Sequence, residues 1–553
     1  MPKFTINNAE VEFVQGQTII EAAKTAGIKI PHFCWHPGLS VSGNCRICLV
    51  EIEKLPKLAI ACSTQAAEGM VVHTKSEKVI TAQNAVMEFL LINHPLDCPI
   101  CDEAGECKLQ DYAFKYSKGV SRFDEEKNHK DKRILLGPNV MFDRERCISC
   151  SRCIRFCDEV AKEPQLTFIQ RGEKVTITTF PGKELDNPYS MNVIDICPVG
   201  ALTSKHFRFR SRVWDMSFTD SVCTGCSRGC NTIVGVRKNE ILRLEPRQNE
   251  SVNQWWMCDE GRLGTYKFVN DENTRVVSPM VRPEEAEEKG GKLVSTDWEE
   301  AVSKSVSVLT GMKKHILFIA SPYSTLEDNY ALKIFAREVF GSEDVVYIPG
   351  IDAGFADDLL RKADRTPNAT GLEAMGIKPV SEKTMSDLSS GKYKAVYVIN
   401  DDIERAGLSK ANLASVQSFV FHLNTKNSFA AENADVVFSE SAYAEINGTF
   451  MNLEGRVQRI RPAVATLEQE RLLGEFSMSR LDKFGAPNDR WTKDVRFNAR
   501  PTWKILKQIA KAFGVDFGFD NSEEVFTELC KKEFGLDNMS YENVGSKGIV
   551  IRK

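Results

Sequence analysis

The chain has 553 residues, of which 72 are basic and 76 acidic, for a formal net charge of −4. Hydrophobic residues make up 42% and charged residues 27%, a composition typical of a globular protein with several cores. A chain so evenly balanced has no overall positive field with which to gather nucleic acid or an anionic membrane surface. Polyanion binding is therefore excluded as its main role.

The N-terminus and the hydropathy pattern predict a cytoplasmic protein. The first residues, MPKFTINNAEVEF, lack the charged start and unbroken apolar run of a secretory signal, and they are too acidic for a transit peptide. No stretch reaches the roughly 18 apolar residues that a membrane-spanning helix needs.

The first 78 residues predict a small β-rich domain. Residues 3–14 alternate apolar and polar side chains as two short strands do. Thr18 and Glu21 have capping-box spacing at the start of a helix that Gly27 ends, and later strands are expected at LVEIE and MVVHT. This order of hairpin, helix and strands resembles a β-grasp ferredoxin.

The cysteines are concentrated in the N-terminal half. Sixteen of the 17 lie between residues 34 and 258, and only Cys530 lies beyond them. Cytosolic thiols stay reduced, so cysteines crowded into CxxC pairs indicate metal binding rather than disulfides. Bound metal has to supply much of the stability of such short, loop-rich segments. For Cys530, in a helix-like segment, core packing is expected.

The first cysteine set suits a 2Fe-2S cluster. It consists of Cys34, Cys45, Cys48 and Cys62. Gly43 in the segment SGNCRICLV lets backbone amides approach sulfur, and four thiolates on one loop can hold a two-iron centre. A zinc site is the alternative that the spacing leaves open, and the β-rich context favours iron.

The second set contains only three cysteines close together. Its members, in NHPLDCPICDEAGEC, are His94, Cys98, Cys101 and Cys107. A neutral imidazole four residues before Cys98 can supply the missing ligand of a 4Fe-4S cluster. The residues alone leave open a purely structural His94.

The third set follows the C-x2-C-x2-C-x3-C run of bacterial ferredoxins. Its predicted ligands are Cys147, Cys150, Cys153 and Cys197. In two-cluster ferredoxins the fourth cysteine of a run ligates the other cluster, so Cys197 of ICPVGALT should close this 4Fe-4S cube. The positions that a second cube would need hold Asn187, Ser190 and Val193. Cys157 is therefore predicted to be a buried thiol that ligates nothing.

The fourth set has the spacing C-x2-C-x3-C-x27-C. It consists of Cys223, Cys226, Cys230 and Cys258 and favours another 4Fe-4S cluster over a zinc ribbon, which more often shows two CxxC pairs. The four sets together predict one 2Fe-2S and three 4Fe-4S clusters, about 14 irons. A series of one-electron centres is what long-range electron transfer requires.

The order of these sets resembles the large iron–sulfur subunit, the G subunit, of bacterial NADH-quinone oxidoreductase, respiratory complex I. The resemblance covers at least residues 1–270 and rests on NHPLDCPICDEAGECKLQD, NVIDICPVGALTSK and WWMCDEGR. It implies that His94 is a ligand, that all four sets hold iron and that Cys157 is not a ligand. It also implies that the fourth cluster lies off the main electron route.

The C-terminal half predicts a parallel α/β sheet buried on both faces. Short apolar runs alternate with helix-like segments there, namely HILFIAS, DVVYIPG, AVYVIND, FVFHLN and ADVVFSE. STDWEEA and GTFMNLEGRVQ resemble motifs of molybdopterin oxidoreductases. No cysteine lies between 259 and 529, and the 96 residues after Val457 are too few for a pterin-covering barrel domain. We therefore expect a scaffold without a molybdenum cofactor.

The predicted fold class is multidomain α+β and α/β. In chain order, the predicted domains are a β-grasp 2Fe-2S ferredoxin-type domain (1–78), a 4Fe-4S domain with one histidine and three cysteine ligands (79–140), a 4Fe-4S ferredoxin-like domain (141–215), a 4Fe-4S domain of the molybdopterin-oxidoreductase type (216–272), a degenerate molybdopterin-oxidoreductase-like α/β domain (273–470) and a C-terminal region of unknown role (471–553).

The sequence contains no GxGxxG after a strand and no P-loop. Hydride chemistry is therefore expected on a partner, and no catalytic residue is expected in this chain. The resemblance implies an FMN-bearing NADH-oxidising partner, quinone-side iron–sulfur partners, proton translocation by the whole complex and a peripheral place on the cytoplasmic side of the bacterial inner membrane. Our hypothesis puts the Cys34 set where electrons enter and the His94 cube before the Cys147 cube. The alternatives are the iron–sulfur subunit of an NAD-linked hydrogenase or of a molybdenum formate dehydrogenase.

Overall fold

The structure is a computed structural model that describes residues 1–283, 291–408, 412–469, 471–472, 474–484 and 495–551. The chain divides into two compact units, Met1–Trp214 (unit 1) and Asp215–Lys553 (unit 2). Both units mix helices with sheets, as predicted. Among the helices of the described ranges, none has the length and apolar character needed to cross a bilayer.

Unit 1 begins with the predicted β-rich domain. Its five-stranded sheet has the order Ala9–Glu12, Lys3–Ile6, Val71–His73, Leu49–Ile52 and Ala59–Ile60. The helix Ile19–Thr25 buries Ile19, Ala22 and Ala23 in the same core. Its capping box is present, since the Thr18 amide donates to Glu21 Oε2 at 2.8 Å. Gly27 follows with a φ of 73°, a conformation that suits glycine. The predicted hairpin, helix and later strands are confirmed.

The rest of unit 1 consists of short elements joined by loops. Its longer helices are Glu77–Ile92 and Lys108–Tyr116. The shorter elements are the strands Ile134–Leu135, Val140–Phe142, Leu166–Ile169, Thr176–Thr179 and Leu202–Ser204, the helices Arg152–Arg155 and Asn192–Asp195, the 3-10 turn Cys98–Ile100 and the π-helical turn Phe156–Val160. Cysteine side chains form part of the buried interior of this region.

Unit 2 begins with an antiparallel sheet that positions the fourth cysteine set. The strand order is Glu240–Pro246, Asn231–Arg237, Ser217–Val222 and Phe476–Ser477. Cys223, Cys226 and Cys230 lie in the connection between Ser217–Val222 and Asn231–Arg237. Cys258 precedes the short helix Asp259–Gly264, and a second short helix spans Lys267–Asn270.

An eight-stranded sheet forms the body of unit 2. Its order is Val294–Ser295, Met280–Val281, Val436–Ser439, Ser418–Leu423, Ala395–Ile399, Ile316–Ala320, Val345–Tyr347 and Lys378–Pro379. The five predicted apolar runs supply five adjacent strands, and these pair in parallel, with Phe318 opposite Tyr397 and Tyr397 opposite Val420. Apolar clusters cover both faces, so the predicted parallel sheet buried on both sides is confirmed.

Helices flank this sheet on both faces. One face carries Trp298–Leu309, Leu326–Phe340, Ala369–Ala374, Thr502–Ala512 and Ser522–Glu533, and the other carries Glu382–Ser389 and Ser428–Asn433. A three-stranded sheet joins Gly448–Met451, Arg456–Ile460 and Ile549–Val550, and short helices span Arg480–Phe484 and Tyr541–Val544.

The C-terminal segment belongs to the main core of unit 2. The sequence analysis separated residues 471–553 from the α/β domain, but Trp503, Ile505 and Leu529 are buried in the same cluster as Phe318. The predicted boundary after residue 470 therefore does not separate two cores, because these helices cover apolar surface of the sheet. Cys530 is fully buried in this cluster, as expected for core packing.

A buried ion pair in unit 2 predicts a large stability effect. Arg275 Nη1 and Nη2 donate to Glu445 Oε1 and Oε2 at 3.0 and 2.8 Å, and the two side chains are 0% and 2% exposed. Glu445→Gln should lower the free energy of unfolding by about 3–5 kcal/mol, because it leaves a guanidinium buried without its counter-charge. Urea unfolding of the full-length chain, followed by tryptophan fluorescence, measures the change.

The matched control is Glu454→Gln, which removes the more exposed pair between Arg228 and Glu454. This variant should cost about 0–1 kcal/mol. Equal losses in the two variants would contradict the prediction.

Candidate metal centres

The first set converges beside the β-rich sheet. Cys34, Cys48 and Cys62 are buried, and Cys45 is half-buried. The Cys34 amide donates to Cys45 Sγ at 3.5 Å, and the charges of Cys34 and Cys45 also act on Cys62. A hydrogen bond from the Cys45 thiol lowers the pKa of Cys34 to about 5. Gly43 has a φ of 63°, so the loop turns back on itself and its amides reach sulfur.

The second set surrounds the 3-10 turn Cys98–Ile100. Cys101 is buried and interacts electrostatically with both Cys98 and Cys107, while Cys98 is exposed. Burial lowers the pKa of His94 to about 4, and the charge of Arg146 acts in the same direction. A neutral imidazole is the form that ligates metal. Arg146 also interacts with Cys101, so His94 and the cysteines share a charged neighbour.

The third set lies in one buried cluster. The charges of Cys147, Cys150 and Cys197 all act on Cys153, and burial raises the pKa of each of these four thiols. Ser149 and Ser151 have φ values of 54° and 62°, so the loop between the cysteines holds a conformation that side chains rarely adopt. Such backbone is found where a loop must aim several side chains at one point.

Cys157 is buried at the edge of this cluster. Burial raises the pKa of its thiol to about 12, and the carboxylates of Glu163 and Asp158 add to that rise. Among the thiols whose charges act on Cys153, Cys157 has the smallest effect. This placement agrees with the prediction that Cys157 is not a ligand, and its role stays a prediction.

The third set lies between the first and the second. On one side, Arg155 Nη2 donates to the carbonyl oxygens of Cys34 and Cys150 at 2.6 and 3.4 Å, and Asn44 Nδ2 donates to Ser149 O at 3.0 Å. Arg152, which is buried, donates to Ile196 O at 2.9 Å and also to Trp35 O.

On the other side of the third set, the segment after Cys197 contacts the second set. The Lys108 amide donates to Pro198 O at 3.2 Å, directly after Cys107. Gly200 packs so closely on Cys101 and Glu103 that a Cβ at this position would overlap them. One short segment thus carries a cysteine of the third set and touches the second.

The fourth set lines a cavity of about 160 Å³ in unit 2. Cys223, Cys226, Cys230 and Cys258 are all buried. The amides of Gly225 and Gly261 donate to the sulfurs of Cys223 and Cys258 at 3.4 and 3.3 Å. Iron–sulfur clusters are commonly surrounded by amides that donate to sulfur, and four soft ligands around an enclosed space fit such a cluster.

A loop of the α/β domain closes this cavity with a positive charge. Arg365 Nε donates to Gly225 O at 3.1 Å, and its guanidinium lies 3.7 Å from the ring centroid of Phe355. Glu260 pairs with the same guanidinium. The Arg365 charge favours the ionised thiols of Cys223 and Cys226, so it would also stabilise extra negative charge on a group held there.

A site for a single ion such as zinc has a different geometry from a site for an iron–sulfur cluster. Zinc draws four donors to roughly 2.1–2.3 Å from one point. Within the described part of the chain, no group of three or more His, Cys, Asp or Glu side chains is arranged to hold one metal ion.

Charged residues of both signs lie at the carboxyl ends of the parallel strands. They enclose a cavity of about 610 Å³, here called the strand-end cavity, whose charged lining residues are Asp401, Asp402, Glu440, Arg405 and Lys426. Burial raises the pKa of Asp401 to about 7 and that of Glu440 well above its usual range, so the lining carries no excess of negative charge near neutral pH.

Five family models match the chain. They are the 2Fe-2S iron–sulfur cluster binding domain (2–77), the NADH-ubiquinone oxidoreductase-G iron–sulfur binding region (83–122), the ferredoxin-like domain of NADH-quinone oxidoreductase subunit 3 (137–203), the molybdopterin oxidoreductase Fe4S4 domain (216–271) and molybdopterin oxidoreductase (363–471). The chain therefore contains one domain of the 2Fe-2S type and several of the 4Fe-4S type.

Curated relatives belong to one kind of subunit. The NADH-quinone oxidoreductase G subunit of Rickettsia bellii is 41% identical over 341 residues, 61% of this chain and 48% of the relative. The G subunit of Streptomyces coelicolor is 38% identical over 358 residues, 64% and 42% of the two chains. The mitochondrial NADH-ubiquinone oxidoreductase 78 kDa subunit of Neurospora crassa is 38% identical over 349 residues, 62% and 45%. The predicted resemblance to the large iron–sulfur subunit is confirmed.

The chain spans about half the length of these curated relatives. A solved NAD⁺-reducing [NiFe]-hydrogenase chain is 30% identical, covering 38% of this chain and 91% of that one, with a TM-score of 0.35. A score this low carries no argument about the fold.

Two glycines in one helix test the fourth site. A Cβ on Gly261 would lie 3.0 Å from Cys223 Sγ and 3.1 Å from Cys258 Sγ, inside the space that a cluster needs. Gly261→Ala should remove about four irons per chain, because the methyl group displaces the thiols. Iron analysis and electron paramagnetic resonance (EPR) of the protein isolated anaerobically measure the loss.

Gly264→Ala is the matched control, since its Cβ would meet nothing closer than Glu260 Cγ at 3.8 Å. This variant should keep its full iron content. A Gly261→Ala protein with unchanged iron would refute a cluster at this position.

Proposed function

We propose that the chain is the iron–sulfur electron-transfer subunit of an NADH-quinone oxidoreductase complex. It would accept electrons one at a time from an FMN-bearing NADH-oxidising partner and pass them toward quinone-side iron–sulfur partners, while the whole complex couples this flow to proton translocation. The observation that carries the proposal is the direct contact of the third cysteine set with both the first and the second. Three such sites in mutual contact form a path rather than isolated structural sites.

The proposed ligands are those that the sequence analysis selected. The first set would hold one 2Fe-2S cluster and the other three sets one 4Fe-4S cluster each, with His94 as the single imidazole ligand. Bound clusters would supply one-electron redox chemistry. The chain's own residues exclude water from the thiols, donate amide hydrogen bonds to sulfur and hold neighbouring loops together.

The contacts support a different order of centres from the hypothesis based on the sequence. That hypothesis placed the His94 cube before the Cys147 cube. Arg155 joins the carbonyls of Cys34 and Cys150, whereas Pro198 and Gly200 meet the second set. We therefore infer the order first set, third set, second set. The resemblance to the complex I subunit implies that a cluster in the Cys223 set lies off the main electron route.

The second set has the features expected of the site where electrons leave this chain. Cys98 is exposed, and Leu96 and Ile100 beside it are 88% and 58% exposed. Exposed apolar side chains around a redox ligand suit a surface that a partner covers. This face would meet a quinone-side subunit, and membrane contact on the cytoplasmic side of a bacterial inner membrane would come only through partners.

The molybdenum formate dehydrogenase alternative is tested by the metal content of the protein. Nothing in the geometry favours the hydrogenase alternative. The complex I role is the one that the contacts support best.

Interruption of the path tests the function. Cys150→Ala in the assembled complex should abolish NADH-to-quinone electron flow, because it removes a ligand from the central site. NADH-ferricyanide reduction, which takes electrons from the partner's flavin, should persist. Both rates are measured spectrophotometrically on membranes, with assembly checked on a native gel.

Cys157→Ala is the matched control, since this thiol is also buried in the same segment but is not a proposed ligand. It should keep quinone reduction. Quinone reduction preserved in Cys150→Ala would refute the route.

The metal content tests the cofactor assignment. Elemental analysis of protein isolated anaerobically with its partners should find about 14 irons per chain and no molybdenum. About one molybdenum per chain would make this a catalytic subunit and would overturn the scaffold interpretation of the C-terminal half.

A further inference from the structure

A loop of the α/β domain forms one wall of the cavity around the fourth cysteine set. This loop, residues 350–366, is here called the cover loop. Its two ends lie side by side, because Ile351 and Asp364 pair in antiparallel fashion. Between these ends, Phe355 and Leu360 line the cavity. The cover loop therefore places apolar side chains against a space that sulfur atoms surround.

The cover loop is hydrogen-bonded to the segment that carries three of the four cysteines. The amide of Ser227, which is 4% exposed, donates to Asp364 O at 2.8 Å. The Lys362 backbone also forms a hydrogen bond with the side chain of Cys226. Amide hydrogen bonds to ligating sulfurs are among the features that tune a metal site. A residue far away in the sequence thus contributes to the immediate surroundings of one of the proposed ligands.

A second segment of the α/β domain holds the same cysteine loop. The Leu453 amide donates to Ser227 O at 2.9 Å, and Gln458 Nε2 donates to Gly229 O at 2.9 Å. Both backbone groups of the buried Ser227 are therefore satisfied by the α/β domain. Because the cysteine loop is fixed to this domain, the distance from the cysteines to a charge carried by the domain is fixed as well.

The cover loop carries such a charge on Arg365. Arg365 Nε donates to Gly225 O at 3.1 Å, and the guanidinium stacks on the Phe355 ring at 3.7 Å from its centroid. The Arg365 side chain is 28% exposed, whereas those of its ion-pair partners Glu260 and Asp352 are 52% and 55% exposed. Water screens the more exposed carboxylates more strongly than it screens the guanidinium.

A fixed charge next to an iron–sulfur cluster changes its reduction potential. Reduction adds one electron and neither forms nor breaks a bond, so a positive charge nearby stabilises the reduced state more than the oxidised state. The charge of Arg365 acts on Cys223 and Cys226, and its field therefore reaches two of the proposed ligands. Arg361, another cation of the lining, pairs with Asp357 at 2.7 Å.

We propose that the cover loop is part of the fourth cluster site and that the positive charge of Arg365 raises the midpoint potential of the cluster held there. The inference rests on the proposed 4Fe-4S cluster in the Cys223 set. It gives the α/β domain a part in the redox chemistry of the chain. The domain supplies both the hydrogen bonds that fix the cysteine loop and the charge that acts on it.

Removal of the Arg365 charge tests the proposal. An EPR-monitored redox titration of the full-length chain, isolated anaerobically, measures the midpoint potential of the signal that Gly261→Ala removes. Arg365→Gln should lower the equilibrium constant for reduction at least about tenfold, a fall of about 59 mV for a one-electron couple. Arg365→Lys, which keeps the charge, should retain most of the original potential.

A variant of opposite sign separates a charge effect from a loosened site. Glu260 lines the same cavity, and its negative charge acts on Cys258. Glu260→Gln should therefore raise the midpoint potential, whereas loosening of the site would move both variants in the same direction. The control is Arg337→Gln, which removes the charge of a half-exposed arginine outside the lining and should leave the potential unchanged.

Two results would overturn the inference in distinguishable ways. An unchanged or raised potential in Arg365→Gln would overturn the inference alone and leave the cluster assignment intact. Absence of the signal from the unaltered chain would overturn both. If Arg365→Gln loses the cluster, Glu260→Gln decides, since a raised potential supports the charge effect and an unchanged potential refutes it.

Discussion

The convergence of thiols on small volumes is the constraint on which the N-terminal half of this chain depends. Thiolates repel one another, so a segment that gathers four of them needs a bound metal group to compensate. At more than one of these sites the backbone conformation helps to bring the thiols together. Ser149 and Ser151 adopt positive φ between the cysteines of the third set, and amides near Gly43 and Gly261 point at sulfur. The backbone is therefore locally strained where it aims the cysteine side chains at one point.

Arginines connect the loops of unit 1 that carry the first and the third set. Arg152 and Arg155 lie in the ferredoxin-like run and bind backbone carbonyls on the first set's loop. Burial lowers the pKa of Arg152, while the nearby thiols of Cys150 and Cys197 favour its charged form. A fixed positive charge between two groups of thiolates reduces their mutual repulsion, and its rigid hydrogen bonds keep the distance between the two sites constant.

Unit 2 is held together mainly by apolar packing. Its eight-stranded sheet is covered by large apolar clusters on both faces and does not need metal for cohesion. A fold stabilised in this way can change the chemistry at its strand ends while its core stays intact, since ligand sites lie outside the packed layers. The strand-end cavity lies at this edge of the sheet, in a scaffold of which residues 363–471 match the molybdopterin oxidoreductase model.

Much of the fold and of the ligand sets could be predicted from the sequence, because both are encoded locally. The capping box at Thr18, the five apolar runs and the CxxC spacings each lie within a few residues, and spacing alone restricts which cysteines can share a cluster. The packing of the segment after residue 470 on the sheet was not predicted, because its helices carry an apolar face whose partner, the sheet, is distant in sequence.

The sequence by itself therefore determined the kinds of element, the sets of candidate ligands and the family that they resemble. The tertiary structure alone decided which set neighbours which, since Arg155 reaches Cys34 across more than a hundred residues of chain. It also decided that residues following different strands, such as Asp401 and Glu440, line one cavity, because parallel strands bring their carboxyl ends together whatever their separation along the chain. Contacts between residues far apart in sequence leave no mark in local spacing, and the proposed order of the centres rests on them.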